Sequence, residues 1–378
     1  MNDTKPPKAL VCPLDWGWGH ATRTIPLIHL LQRSGFEVII GTSGVSGDFL
    51  KNELPGYSFF NLPSFSIHYS SDENQVFAIF KQIPKILRVV YNEHKIIKKI
   101  VERENIDLVV SDQRYGLWTK SAYSVFMTHQ LNVIFPKSLK ILSYIFNFLQ
   151  HKFIQQFDEC WVPDDKQNLN LSGKLSDVPA RLTQVFYAGI FSRFGIPENV
   201  NQTSNYKHDL LVLLSGPEKQ RTLLENILLS QLQNKNYNVL FVRGTLSPRK
   251  QTNTGNNVTM VDYLNSTELY NAILESGLII CRPGYSSVMD LVRLKKQALF
   301  IPTPGQTEQE YIAEHLMARK YFFSVSQKEL LLERDIKLAM DYHIPEHKDE
   351  DSALLKRRIK IIHNKLYQNK SDNNNNHS

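Results

Sequence analysis

Short apolar runs alternate with longer stretches of helical periodicity along almost all of this chain. Residues 9–14, 36–40, 57–62, 108–111, 124–128, 159–162 and 185–188 are compact runs bounded by polar or turn residues, the pattern of buried strands. Between them Thr24–Arg33 repeats apolar residues every three to four positions and is closed by Gly35. Residues 74–104 form a long amphipathic stretch in which Pro84 predicts a break or kink, and Lys137–Phe157 is helical and rich in aromatics. Residues 197–206 are polar and lack any period, as a linker does. The alternation then restarts: strands at 209–214, 238–242, 258–261, 277–281 and 298–301, helices at 218–232 and 266–274, and a last helical stretch at Ser352–Leu366.

Repeated strand–helix–strand units predict an α/β protein with parallel sheets covered by helices on both faces. At 378 residues the chain exceeds one ordinary core. The expectation is two Rossmann-like, doubly wound domains facing across a cleft, a favoured ligand site. The expected division is 1–195, a linker at 196–207, 208–350, a C-terminal helix at 351–368 packing back on the first domain, and a disordered Asn-rich tail at 369–378.

The net charge of +7 favours polyanionic partners, whether nucleic acid, nucleotide phosphates or an anionic membrane surface. Cys12, Cys160 and Cys281 lie in strand-like runs without metal spacing, which predicts buried thiols in a reducing compartment. Neither a signal peptide nor an apolar run of about 20 residues is apparent, so the protein is expected in the cytoplasm, at most peripheral to a membrane.

The candidate chemistry collects at predicted strand ends. Cys281–Leu291 is a strand end, a small-residue turn and a helix start. Backbone N–H groups around Gly284, Tyr285, Ser286 and Ser287, with the helix dipole, suit a phosphate. Asp290 lies one turn beyond Ser286 on the same face, where a carboxylate can hold ribose hydroxyls. Glu308 and Gln309 open another helix and suit sugar hydroxyls, with Thr307–Glu310 capping as the competing reading. Ser215-Gly216 is either a phosphate contact or a plain turn. In the first half, Gly17 and Gly19 allow a tight turn that ends in His20, a proton acceptor or a loop-orienting residue. Ser111–Gly116, with Asp112, and Thr128-His129-Gln130 share the same placement.

These residues resemble those of the family 28 glycosyltransferases of the GT-B fold, the MurG-like group. The match is most specific in the second half. Arg282 to Leu291 resembles the family's donor-binding turn and helix, which implies that Asp290 holds the ribose and that the turn faces the diphosphate. Glu308-Gln309 resembles the pair that contacts the donor hexose. Val261-Asp262-Tyr263-Leu264 resembles the segment that meets uracil, and Ser215-Gly216 the first phosphate loop. In the first half Gly17–His20 falls at the family's glycine-rich loop, Thr128–Gln130 at its His-Glu-Gln loop, and Gly189–Arg193 at its link to the second domain. Asp15 and Trp16 stand where the family loop has two glycines. That departure implies an acceptor other than the peptidoglycan lipid and makes Asp15 an alternative base.

The resemblance implies an inverting transfer of a hexose or N-acetylhexosamine from a nucleotide-diphosphate sugar, UDP-linked, to an acceptor that can be lipid-linked. Turn N–H groups and Arg193 would stabilise the leaving diphosphate. His20 would take the acceptor proton. No DxD-like pair sits at a suitable strand end, so no metal or other cofactor is expected. Between Ile79 and Ile100 lie six Lys or Arg and one Glu, and Lys137–Phe157 joins three Lys to four Phe. Such helices either rest on an anionic bilayer or bury their apolar faces in an ordinary core. The alternative activity is that of a nucleotide-sugar epimerase or hydrolase. Nucleic-acid binding is not expected, because the aromatics lie in apolar runs rather than in basic ribbons.

Overall fold

The run Lys8–Pro13 has apolar residues on both faces of the pleat, so it can be satisfied only inside a sheet covered on both sides. It forms strand β1, five of whose six residues are buried. The computed structural model describes residues 5–63, 75–135, 140–195, 206–245, 252–253, 257–346 and 350–375. These fall into two compact units.

In the first unit β1 is joined by β2 (Glu37–Thr42), β3 (Ser58–Asn61), β4 (Leu108–Asp112), β5 (Tyr123–Met127), β6 (Glu159–Val162) and β7 (Val185–Tyr187). All pair in parallel, in the order β3-β2-β1-β4-β5-β6-β7. Helices α1 (Trp18–Arg33), α2 (Gly44–Glu53), α3 (Gln75–Glu104) and α4 (Lys140–Ile154) make the crossovers. Ile97, Ile100 and Val101 of α3 close one core against Leu10, Ile39 and Val109. Ile154 at the end of α4 closes another against Phe126, Phe157 and Cys160.

The second unit is built within Phe194–Glu346. Its strands are β8 (His208–Leu213), β9 (Val239–Val242), β10 (Thr252–Asn253), β11 (Val258–Val261), β12 (Ser276–Cys281), β13 (Ala298–Phe300) and β14 (Phe323–Ser324). Their order is β10-β11-β9-β8-β12-β13-β14, parallel except for the short β10–β11 pair. Helices α5 (Glu218–Leu232), α6 (Ser266–Leu274), α7 (Tyr285–Arg293), α8 (Thr307–Ala318) and α9 (Leu332–Met340) alternate with the strands. Leu224 and Leu228 of α5 and Leu332 and Ala339 of α9 share a core with Leu210, Val212, Phe241 and Leu299.

The last helix, α10 (Glu350–Asn375), belongs to the first unit despite following the second in sequence. Arg358 donates to the Glu159 carboxylate from Nε at 3.0 Å and from its terminal nitrogen at 2.5 Å. Tyr123 and Trp161 donate to the same carboxylate. His363 stacks edge-on against Phe36, 5.0 Å between centroids. Gly35 has φ +93°, and a Cβ there would lie 2.9 Å from His363 Nε2, so both backbone and space require glycine. The helix continues to Asn375, into the Asn-rich segment that composition alone reads as disordered. The linker at 196–207 lies outside the described residues except for Tyr206 and Lys207.

Local departures from the expected elements have physical reasons. Helix α1 begins at Trp18, ahead of the apolar period that opens at Thr24, and His20 lies in its first turn. Helix α2 was hidden because Gly44 and Gly47 interrupt its pattern; it is anchored by Phe49, which stacks on Trp18 at 5.8 Å. Pro84 lies within the continuous α3 at an exposed position. Strands β10 and β14 are two residues each, too short to show a period. All three cysteines are buried free thiols, and burial raises the pKa values of Cys12 and Cys281 to about 12.

Candidate active site

Each sheet reverses its strand order once about its first strand, between β1 and β4 and between β8 and β12. Loops leaving the carboxyl ends of such neighbours diverge and leave a crevice. Pro13 pairs with Asp112 and Asp112 with Met127, so the ends of β1, β4 and β5 are level. Cys281 pairs with Leu213 and with Phe300, which does the same for β8, β12 and β13.

In the first unit Gly17 precedes α1 with φ +108°, a conformation glycine adopts at least cost, and turns the chain into the helix. His20 and Arg23, three apart on α1, point to one face and meet Asp112 at the end of β4. Arg23 engages the Asp112 carboxylate in a two-pronged pair, with Nε at 2.7 Å and a terminal nitrogen on the other oxygen. The same terminal nitrogen lies 2.8 Å from His20 Nδ1, and the other terminal nitrogen lies 3.0 Å from His129 Nδ1. Asp112 Oδ2 is 3.2 Å from His20 Nδ1. Asp112 is fully buried and the Arg23 side chain nearly so, whereas the His20 side chain keeps 18% of its surface in solvent.

The charges follow from this packing. Burial alone would raise the Asp112 carboxyl pKa, but the paired Arg23 guanidinium, joined by His20 once that ring is protonated, outweighs it and holds it at about 2. Burial first, and the Arg23 charge second, lower the His20 pKa below 6.5, against the pull of Asp112. The outcome is a fixed carboxylate behind a neutral imidazole that reaches the surface. The sequence assigns Arg23 no role of its own. Its one local signal is its spacing of three from His20 at the start of the same helix.

The other candidates of this unit meet partners of their own. Asp15 Oδ1 accepts the Ser46 N–H at 3.2 Å at the start of α2, where a carboxylate offsets the helix dipole. That contact ties the alternative base to a capping role. Gly19 lies in the first turn of α1, where its carbonyl accepts from Thr22 Oγ1. Thr128 Oγ1 accepts from Gln113 Nε2 and from the Gln130 N–H, and the Gln130 carbonyl accepts from Gln150 of α4. This loop therefore holds His129 in place. Arg193 is half-buried at the chain's exit from the first unit, after β7.

In the second unit Arg282 plays a different part from the expected donor contact. It is buried, and its terminal nitrogens donate to the carbonyls of Ile301, Pro302 and Gln220 and to Gln327 Oε1, at 2.7–3.1 Å. It clamps the β12–α7 turn to the β13–α8 loop, and burial lowers its pKa to about 10. Gly284 is the N-cap of α7 and has no side chain to cap it, in contrast to α6, which Asn265 and Glu268 close with a capping box. Tyr285 is buried beneath the turn, Ser286 and Ser287 are half-buried on it, and Asp290 is 7% exposed. Ser215 and Gly216 are exposed, and Gly216 has φ +95°. Gln309 Oε1 accepts the Thr303 N–H at 2.9 Å, which turns its amide N–H groups away from that loop. The cap of α8 is Gln306, not Thr307, and Glu310 accepts from the Gly305 N–H. Glu308 is half-buried in the first turn. Tyr263 and Leu264 are half-buried between β11 and α6. Among the described residues no group of three or more His, Cys, Asp or Glu is placed to hold a metal ion.

Residues 211–360 match the glycosyltransferase family 28 C-terminal domain. An uncharacterized glycosyltransferase of Methanopyrus kandleri is 19% identical over 355 residues, 88% of this chain and 97% of its own length. Among solved structures, the glycosyltransferase SnogD from Streptomyces nogalater matches with TM-score 0.58 and 14% identity over 96% of both chains. Acinetobacter baumannii MurG matches with TM-score 0.51 and 13% identity, over 96% of this chain and 95% of its own. Phytolacca americana UGT2, solved with UDP-2fluoro-glucose and pterostilbene, gives 0.57 and 13%, over 96% and 94%. With two doubly wound sheets and a family 28 domain built on the second, the chain is a glycosyltransferase of the GT-B fold.

Proposed function

We propose that the enzyme moves a hexose or N-acetylhexosamine from a UDP-sugar to an acceptor hydroxyl, with inversion and without a metal ion. The acceptor oxygen attacks the anomeric carbon as the bond to the diphosphate breaks. The hydroxyl proton passes to His20 Nε2, and UDP departs with the bonding electrons. The observation that carries this reading is the buried, ionised Asp112 behind the partly exposed His20 imidazole. Once Nδ1–H is directed at Asp112, Nε2 is free to accept, and the carboxylate stabilises the imidazolium that forms. On the donor side the turn before α7 offers backbone N–H groups and the helix dipole to the diphosphate, with Asp290 on the ribose, Tyr263-Leu264 along the base and Glu308-Gln309 on the hexose. Arg193 would add charge to the leaving group.

The acceptor is proposed to be met at an anionic membrane surface, on the cytoplasmic side. Ile141, Tyr144, Ile145 and Phe148 of α4 are 49–78% exposed, so that face is not ordinary core. Lys152 and Arg181 lie over the Phe148 ring at 5.8 and 5.4 Å. Beside it an apolar groove of about 350 Å³ runs between α3 and α4, lined by Leu87, Tyr91, Trp118 and Phe153. No helix among the described residues is long and apolar enough to cross a membrane.

A thermal-shift screen of UDP, GDP and TDP sugars, followed by transfer to lipid-extract acceptors in EDTA, tests the proposal. Stabilisation by UDP-sugars and EDTA-resistant transfer are expected. Stoichiometric release of free sugar without acceptor would instead favour a hydrolase, and a donor of another base would overturn the UDP assignment.

A further inference from the structure

The cluster around Asp112 holds a conflict that bears on how His20 works. The Nδ1 atom has two partners that ask opposite things of it. Asp112 Oδ2, at 3.2 Å, needs a proton on Nδ1; the Arg23 terminal nitrogen, at 2.8 Å, needs a lone pair there. A guanidinium nitrogen is always a donor, and two N–H groups do not face each other at 2.8 Å. The closer contact therefore assigns the lone pair to Nδ1 and the proton to Nε2. Arg23 has no freedom to turn away, because Nε and the same terminal nitrogen are spread across the Asp112 carboxylate, and its remaining terminal nitrogen meets His129 Nδ1 at 3.0 Å. Arg23 and Asp112 are buried, and His20 is the member with surface in solvent. The groups facing the imidazole are Arg23 from its own helix, Asp112 from β4 and His129 from the loop after β5.

We propose that Arg23 is a positioning residue that selects the tautomer of His20, keeping Nδ1 as an acceptor and Nε2 protonated until the ring passes from Arg23 to Asp112. The inference deepens the assignment of His20 as the base and rests on it for its catalytic meaning. In the ligand-free arrangement Nε2 carries a proton and cannot accept one. The ring becomes a base when Nδ1 gives up Arg23 and donates to Asp112 Oδ2. One proton leaves Nε2 for solvent and one enters at Nδ1, so the ring stays neutral throughout. The enzyme would thus rest with its base switched off and be armed by a small movement of the one exposed member. The direction of the His20 pKa, lowered by burial and then by Arg23, agrees with a ring held neutral beside a cation.

The test is long-range 1H–15N correlation spectroscopy on the full chain labelled at histidine, with His20 assigned through H20Q. The native protein is expected to show the Nε2–H tautomer, titrating below 6.5. In R23Q the Nδ1–H tautomer is expected, with the midpoint raised by about one unit, a tenfold change in proton affinity. In D112N the Nε2–H tautomer is expected to persist. If R23Q does not fold, R23K serves, since it keeps a cation near Asp112 without the planar fork aimed at Nδ1; the tautomer should still change. A native Nδ1–H tautomer, or an Arg23 variant with native tautomer and midpoint, overturns the proposal. Failure of the base assignment would look different: H20A would transfer sugar normally while the tautomer result stood.

Discussion

The two sheets place their chemistry at the same topological position and supply it by different means. Between β1 and β4 the first unit assembles charged side chains, with Asp112 ionised, Arg23 paired to it and His20 kept neutral. Between β8 and β12 the second unit assembles backbone, with the buried Arg282 spent on carbonyls so that two loops hold still. A buried charge network suits proton transfer, because it shifts pKa values. A rigid backbone turn suits a diphosphate, because its dipoles are fixed before charge develops. Topology sets where a ligand can sit, and the residues at the crevice decide what happens there.

The comparison breaks most visibly in turnover. His20→Ala is expected to lower transfer by about 10²–10⁴-fold while UDP affinity, read by calorimetry, stays unchanged. Arg282→Met is expected to act on stability instead. It strands buried carbonyl acceptors, costs about 3 kcal/mol in thermal unfolding, and abolishes the UDP-induced shift as the turn loosens. Asp290→Ala should weaken UDP by about 1.5–3 kcal/mol, on the order of ten- to a hundredfold, and leave the His20 titration alone. Unchanged UDP affinity would remove Asp290 from the ribose.

Acid separates the units by a smaller margin. The Asp112 pKa is depressed on folding, so the stability it confers is complete above about pH 4 and is lost as pH falls toward 2. That loss is about 2 kcal/mol, set by a carboxyl pKa that folding lowers to about 2. His20, also lowered on folding, adds in the same direction, since the unfolded chain takes up its proton first as pH drops below 6.5. Acid titration of D112N, followed by circular dichroism, should lack the step between pH 4 and 2. The smallest effect is expected at the surface of α4. Lys152→Ala should reduce co-sedimentation with phosphatidylserine vesicles by about 1 kcal/mol, roughly fivefold, and more at low salt than high. Lys219→Ala on α5 is the control expected to change nothing.

Much of this architecture could be read before any coordinates. Buried parallel strands must be apolar on both faces, so runs such as Leu108–Val110 and Leu278–Cys281 declare themselves. The turn before α7 was legible for a similar reason: Pro283, Gly284 and the small serines encode its backbone geometry locally. The charged cluster was legible only in part. His20, Asp112 and His129 each stood out as a polar residue at a strand end. Arg23 did not, because its meaning depends on a carboxylate 89 positions away. Arg282 misled for the same reason, since a basic residue beside a phosphate turn looks like a ligand until its acceptors, Gln220, Ile301, Pro302 and Gln327, are brought around it.

By itself, then, the sequence determined most of the succession of strands and helices, the division into two parallel sheets and the turn before α7, because apolar period and small-residue turns act over a few residues. Tertiary structure alone decided that Asp15 caps α2, that Arg282 is a clamp, and that Arg23 and Asp112 compete for His20 Nδ1. Each of these is a pairing of polar groups across tens to hundreds of residues. Burial makes such pairing obligatory, but only the folded chain shows which partner answers which.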